Sequence, residues 1–145
     1  MDVVERIAEN AKPHIESDES VVAAFAAHTA SQIPAAAAAA LLVIVVMAFD
    51  VPPLVEALLL LAALAPAVWY FVRNENLIVI ATERRTLLAR SGTFSGARVE
   101  EVIAEYGVDV RFGPTSGSIH ETDALGRTMY VQRRFFDEVT KADTR

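Results

Sequence analysis

The chain has 145 residues, of which 53% are hydrophobic and 22% charged, and a formal net charge of −6. This composition is too apolar for an intrinsically disordered chain, and a pI near 5.0 without a basic block argues against nucleic acid as a partner. The absence of cysteine excludes disulfides, thiolate zinc sites, iron–sulfur clusters and cysteine nucleophiles.

Two unlike halves are joined. Residues 1–72 carry two basic side chains, Arg6 and Lys12, against eight acidic ones, whereas residues 73–145 carry eleven of each. All six glycines follow residue 90, and five of the six prolines precede residue 67. The chain accordingly divides into an N-terminal amphipathic helix with a linker or strand (1–32), a transmembrane hairpin (33–72) and a small cytoplasmic α+β module (73–145).

In residues 2–15, Val3, Val4, Ile7, Ala8 and Ala11 share one helical face. With Asp2, Glu5 and Glu9 against Arg6 and Lys12, this helix suits a protein surface better than anionic lipid. Residues 16–20 form a solvated turn, and residues 21–29 read either as a strand or as an early extension of the first span.

Residues 33–49 are 17 positions without a charge, and residues 54–72 are 19 positions whose only charge is Glu56. At 1.5 Å per residue these runs reach roughly 25–29 Å, close to the hydrocarbon thickness of a bilayer. They predict a two-helix transmembrane hairpin. A soluble bundle would need further amphipathic helices to wrap it, and a signal peptide would not follow 32 residues with an acidic stretch. Ser31 and Pro34 suit the start of the first helix, and Asp50, Pro52 and Pro53 that of the second. Trp69, Tyr70 and Arg73 form an aromatic and basic exit. The loop has no Lys or Arg, whereas Arg73, Arg84, Arg85 and Arg90 come after the second helix. By the positive-inside rule both termini are cytoplasmic and the protein is multi-pass in the cell (inner) membrane. Pro66 predicts a kink, and Glu56 reads as a solvated interfacial carboxylate.

Beyond the spans, residues 77–82 and 86–90 predict a hairpin across a turn at Glu83-Arg84, and Ser91-Gly92 and Ser95-Gly96 break the chain after it. Val99, Val102, Ile103 and Tyr106 recur at helical spacing before Gly107, which predicts a short helix. Val108, Val110 and Phe112 alternate with Asp109 and Arg111, which predicts a strand. Further strands are expected at 119–122 and 128–131, with a turn at 123–126. A final helix over 134–141 would turn Phe135, Phe136 and Val139 inward. The fold class is a membrane α+β protein with about five short strands after the hairpin.

Several of these segments carry a resemblance. Asp18-Glu19-Ser20-Val21 stands before the hairpin, and Ile78-Val79-Ile80-Ala81-Thr82-Glu83-Arg84-Arg85-Thr86-Leu87-Leu88 stands after it. Further on come Gly113-Pro114, Thr122-Asp123-Ala124-Leu125-Gly126 and Tyr130-Val131-Gln132-Arg133-Arg134-Phe135-Phe136. In these the chain resembles small actinobacterial membrane proteins with a transmembrane hairpin and a bacterial pleckstrin-homology-like (PH-like) module. The resemblance implies that strands from both sides of the hairpin join one sheet, and that the module binds or scaffolds and catalyses nothing.

The residues themselves support no reaction. His14, His28 and His120 lie far apart, His120-Glu121 with Asp123 reads as an exposed hairpin, and Gly113 to Gly117 lacks the lysine and helix of a phosphate loop. No enzyme, cofactor or metal is expected. Two binding functions remain. In the first, the protein is an accessory or assembly subunit of a larger integral membrane complex. Six consecutive alanines then allow close helix approach through Ala35, Ala36, Ala39 and Ala40; by resemblance, an actinobacterial respiratory oxidase assembly is one host. In the second, Arg73, Arg84, Arg85 and Arg90 contact lipid headgroups or a cytoplasmic protein.

Overall fold

Apolar strands from both sides of the central insert build one sheet. The computed structural model describes residues 2–92 and 97–145. In chain order the elements are α1 (Val3–Ala11), β1 (Val21–His28), α2 (Ile33–Ala48), α3 (Pro53–Arg73), β2 (Asn76–Thr82), β3 (Thr86–Ser91), β4 (Val99–Tyr106), β5 (Ile119–Thr122), β6 (Met129–Gln132) and α4 (Phe136–Thr144). They fall into two compact units, residues 1–29 with 75–145, and residues 30–74.

The first unit is a six-stranded antiparallel sheet in the order β4-β3-β2-β1-β6-β5. Its centre reads as continuous apolar sequence because both faces are covered. Leu77, Ile78, Val79, Ile80 and Ala81 of β2 are all fully buried, as are Ala23, Ala24, Phe25 and Ala27 of β1. Phe25 is the one large side chain in β1, and its ring meets Phe112 edge-on at 5.2 Å. Helix α1 starts with a capping box between Asp2 and Glu5 and buries Ile7 and Ala11. Helix α4 packs on β1 through Val139 and Ala142. Within β1, only Ala27 and His28 pair with β6, which leaves earlier amides of β1 open on that edge. The buried Glu138 carboxylate accepts one of them, Ala24 N, at 3.3 Å.

The second unit is a helical hairpin. Half-buried positions run along α2 at 35, 38, 42, 45 and 46 and along α3 at 56, 59, 63, 66, 67 and 70. That spacing is one stripe per helix, and the two helices pack on each other. No residue of either helix is buried. Helix α3 runs unbroken through Pro66.

Several expectations are corrected. A two-helix transmembrane hairpin is not shown, because among the described residues only α3, at 21 residues, is long and apolar enough to cross a membrane. Helix α2 has 16 residues and rises about 24 Å. Pro34 is tolerated only in its first turn, and the backbone is already extended at Phe49 ahead of Asp50-Val51-Pro52-Pro53. Nor is there a PH-like mixed module confined to residues 73–145. The sheet is wholly antiparallel, and β1, from before the insert, lies inside it between β2 and β6.

Residues 99–106 form a strand where a helix was expected. Opposite β3, Ala104 and Val102 face adjacent residues, as do Glu101 and Val99, so Ile103 and Glu100 are extra residues at two bulges. Val99 and Val102, three apart, therefore lie on one face of the sheet, which imitates a helical period.

Residues 108–112 are irregular where a strand was expected, because side chains take the backbone groups a ladder would use. Asp143 accepts Phe112 N at 2.7 Å and Gly113 N at 2.9 Å, and Arg111 donates to the carbonyls of Val108 and Val110. The Ser95-Gly96 turn lies outside the described residues.

Candidate functional site

The strongest chemical feature of the sheet unit is an ion-pair cluster at the β2–β3 turn. The β1–β2 register sets Val21 opposite Thr82, and so brings residues 16–19 against Arg84 and Arg85. Glu19, with only 1% of its side chain exposed, pairs with Arg85 at 3.0 Å and accepts a hydrogen bond from Thr82 Oγ1. Arg85 also meets Glu105 at 2.9 Å, and Arg84 meets Asp18 at 2.8 Å. Burial works to raise the pKa of Glu19, but the hydrogen bonds from Arg85, Thr82 and the Glu16 amide outweigh it and hold it below its ordinary value. The same pairing raises the pKa of Arg85. Beside this cluster, the Arg145 guanidinium donates to the carbonyls of Thr82 at 2.6 Å and Arg85 at 3.0 Å, tying the end of α4 to the turn.

Three of the arginines read from the sequence as headgroup contacts are thus engaged with carboxylates. Arg84 and Arg85 belong to the cluster, and Arg90 faces Glu101 at 3.7 Å across the β3–β4 pair. Arg73 lies over the Trp69 ring at 5.7 Å. Sequence reading missed Glu19 as the partner of Arg85, because the two are 66 residues apart.

The opposite end of the β1–β2 ladder is where the chain leaves for α2 and returns from α3. Thr29 N donates to the Glu75 carbonyl at 3.2 Å, and Glu75 N donates to Thr29 Oγ1 at 2.7 Å. One step inward, His28 Nδ1 donates to Asn76 Oδ1 at 3.0 Å. Seven residues of strand separate this end from the ion-pair cluster, about 23 Å at 3.3 Å per residue.

The helical unit carries the apolar surface. Among the described residues, every exposed large hydrophobic side chain lies between Ile33 and Val72, including Leu41, Met47, Leu54, Leu61 and Phe71. Of the alanines singled out for helix packing, Ala35 belongs to the stripe facing α3, while Ala36, Ala39 and Ala40 remain exposed. Glu56, on the inner stripe of α3, is half-buried, and Gln32 Nε2 donates to Tyr70 Oη at 2.9 Å between the two helices.

The histidines are not brought together. His120 is buried and donates from Nε2 to the Phe112 carbonyl at 2.7 Å, and Glu121 points out on the other face. His14 ends the single 3-10 turn after α1. At the glycine-rich segment, the Gly113 amide is already taken by Asp143, where a phosphate would have to sit. No three His, Asp or Glu side chains among the described residues are arranged to hold a metal. No family model matches this chain, no curated protein matches it, and no solved structure matches it.

Proposed function

We propose that this protein is a non-catalytic accessory subunit of an integral membrane complex. Residues 30–74 lie in the apolar layer of the cell membrane, and the sheet unit stands in the cytoplasm. The observation that carries this reading is the confinement of every exposed large hydrophobic, among the described residues, to the helical unit. A water-facing surface of that extent is not stable, so it calls for lipid or for apolar protein. The arginines beyond residue 72 favour the cytoplasmic side for the sheet unit.

The exposed face of Ala36, Ala39 and Ala40 supports a protein neighbour over lipid alone. Lipid tails pack equally well on leucine, whereas another helix can approach closely only where side chains are small. Headgroup reading by Arg84, Arg85 and Arg90 has less support, because each already meets a carboxylate.

The test is purification from native membranes in mild detergent, comparing wild type with the triple variant Ala36→Leu, Ala39→Leu, Ala40→Leu. Both proteins should stay in the membrane fraction after alkaline carbonate washing. Wild type should co-purify with a membrane complex that the triple variant loses. A wild type that purifies alone, or a variant that keeps every partner, overturns the subunit reading. Separately, Ser116→Cys on the exposed loop should react with a membrane-impermeant maleimide only after cells are opened; labelling of intact cells overturns the cytoplasmic assignment.

A further inference from the structure

We propose that the end of the sheet from which the chain departs into α2 binds a phosphate group, as carried by an anionic phospholipid or by a free phosphate ester. A cavity of about 220 Å3 opens there, bounded by Arg6 of α1, His28 of β1, Asn76 of β2 and Arg134 just ahead of α4. Four segments distant in sequence converge on it, so it is a product of the fold and not of a local run of charge. Its size is below the about 300–1,000 Å3 of pockets for larger organic ligands and suits one small polar group.

Charge gives the cavity its specificity. At the other end of the ladder the arginines meet carboxylates, in a protein of net charge −6. Here, among the described residues, neither Arg6 nor Arg134 has an acidic partner, and no Asp or Glu lines the cavity. Arg134 Cζ lies over the Phe135 ring at 4.7 Å, a cation–π contact. Two guanidinium edges around one space are the donor set that phosphate oxygens accept best. His28 registers the uncompensated field. Burial lowers its pKa and the charge of Arg134 lowers it further, against the opposing hydrogen bond with Asn76. With Nδ1–H held by Asn76, its Nε2 can add a third donor once an anion is present.

The site lies one residue from Thr29 and Glu75, where the helical unit is joined to the sheet. If residues 30–74 lie in lipid, a headgroup is the nearest source of phosphate. The phosphate site does not rest on the membrane reading; only the lipid source does.

The experiment tracks the His28 ring by NMR in the full chain in neutral detergent, with the signal assigned by its loss in His28→Asn. The probes are sodium phosphate and dihexanoyl-phosphatidylglycerol, each against sodium chloride at matched ionic strength. Binding should shift the His28 signal and raise its pKa. Arg6→Gln with Arg134→Gln should weaken the response by about tenfold per arginine, the loss of one charge-assisted hydrogen bond each. Arg127→Gln removes a positive charge elsewhere and should respond as wild type. A response to phosphatidylglycerol alone identifies lipid as the source, and a response to inorganic phosphate identifies a free phosphate ester. If neither probe moves His28 beyond the chloride control, or if the double variant responds as wild type, the site does not exist.

Discussion

Residues 77–81 (Leu-Ile-Val-Ile-Ala) and 57–61 (Ala-Leu-Leu-Leu-Leu) are equally apolar, yet they meet opposite surroundings. The first run forms the middle of β2 and is fully buried between β1 and β3. The second lies on α3, where Leu61 stays 64% exposed and α2 covers only one stripe. Hydrophobicity alone therefore does not say what will cover a segment. The β-branched run finds two neighbouring strands, while the leucine-rich helix finds one partner helix and leaves most of its circumference for another medium.

The comparison can be broken most directly by truncating one side chain from each region. Phe25→Ala should destabilise the sheet unit by about 3–5 kcal/mol, because it empties a fully packed site against Phe112. Leu61→Ala should leave unfolding of the sheet within about 0.5 kcal/mol of wild type. Denaturant unfolding monitored by the strand signal in circular dichroism measures both. Equal effects would mean that the sheet and the helical unit unfold as one body.

A smaller effect sharpens the picture at the ion-pair cluster. Glu19→Gln should cost about 3 kcal/mol at pH 7, since it leaves Arg85, only 21% exposed, without its main carboxylate. The folded-state pKa of Glu19 is depressed below its ordinary 4.5. Its contribution is therefore fully present above that value and is lost as pH falls through the folded pKa. The gap in unfolding midpoint between wild type and Glu19→Gln should accordingly narrow below about pH 4.5. A constant gap down to pH 3 would contradict the pairing. Arg84→Gln, which removes exposed pairs only, should cost less than about 1 kcal/mol.

The candidate sites were legible to different depths. The run of alanines showed that a smooth face would remain on α2 but not which one: Ala35 joins the stripe facing α3, and Ala36, Ala39 and Ala40 stay exposed. The arginines at 84, 85 and 90 were visible as charges, but not as charges already neutralised by Glu16, Asp18, Glu19, Glu101 and Glu105. Arg6, His28 and Arg134 carried no signal as a group, since nothing local relates residues on α1, β1 and the approach to α4.

By itself the sequence determined the features that depend on a few adjacent residues. It set the apolar insert and its limits at Pro34, Asp50, Pro52 and Arg73, the β2–β3 hairpin, the amphipathic α1, and the lack of thiol chemistry. Tertiary structure decided that residues 21–28 become an inner strand, that two bulges make residues 99–106 a strand, and that Asp143 holds residues 112 and 113 out of the sheet. It also decided which arginines are neutralised. Turn residues and periodicity act over one or two turns of chain, whereas the Glu19–Arg85 pair spans 66 residues and exists only once β1 has found its register on β2.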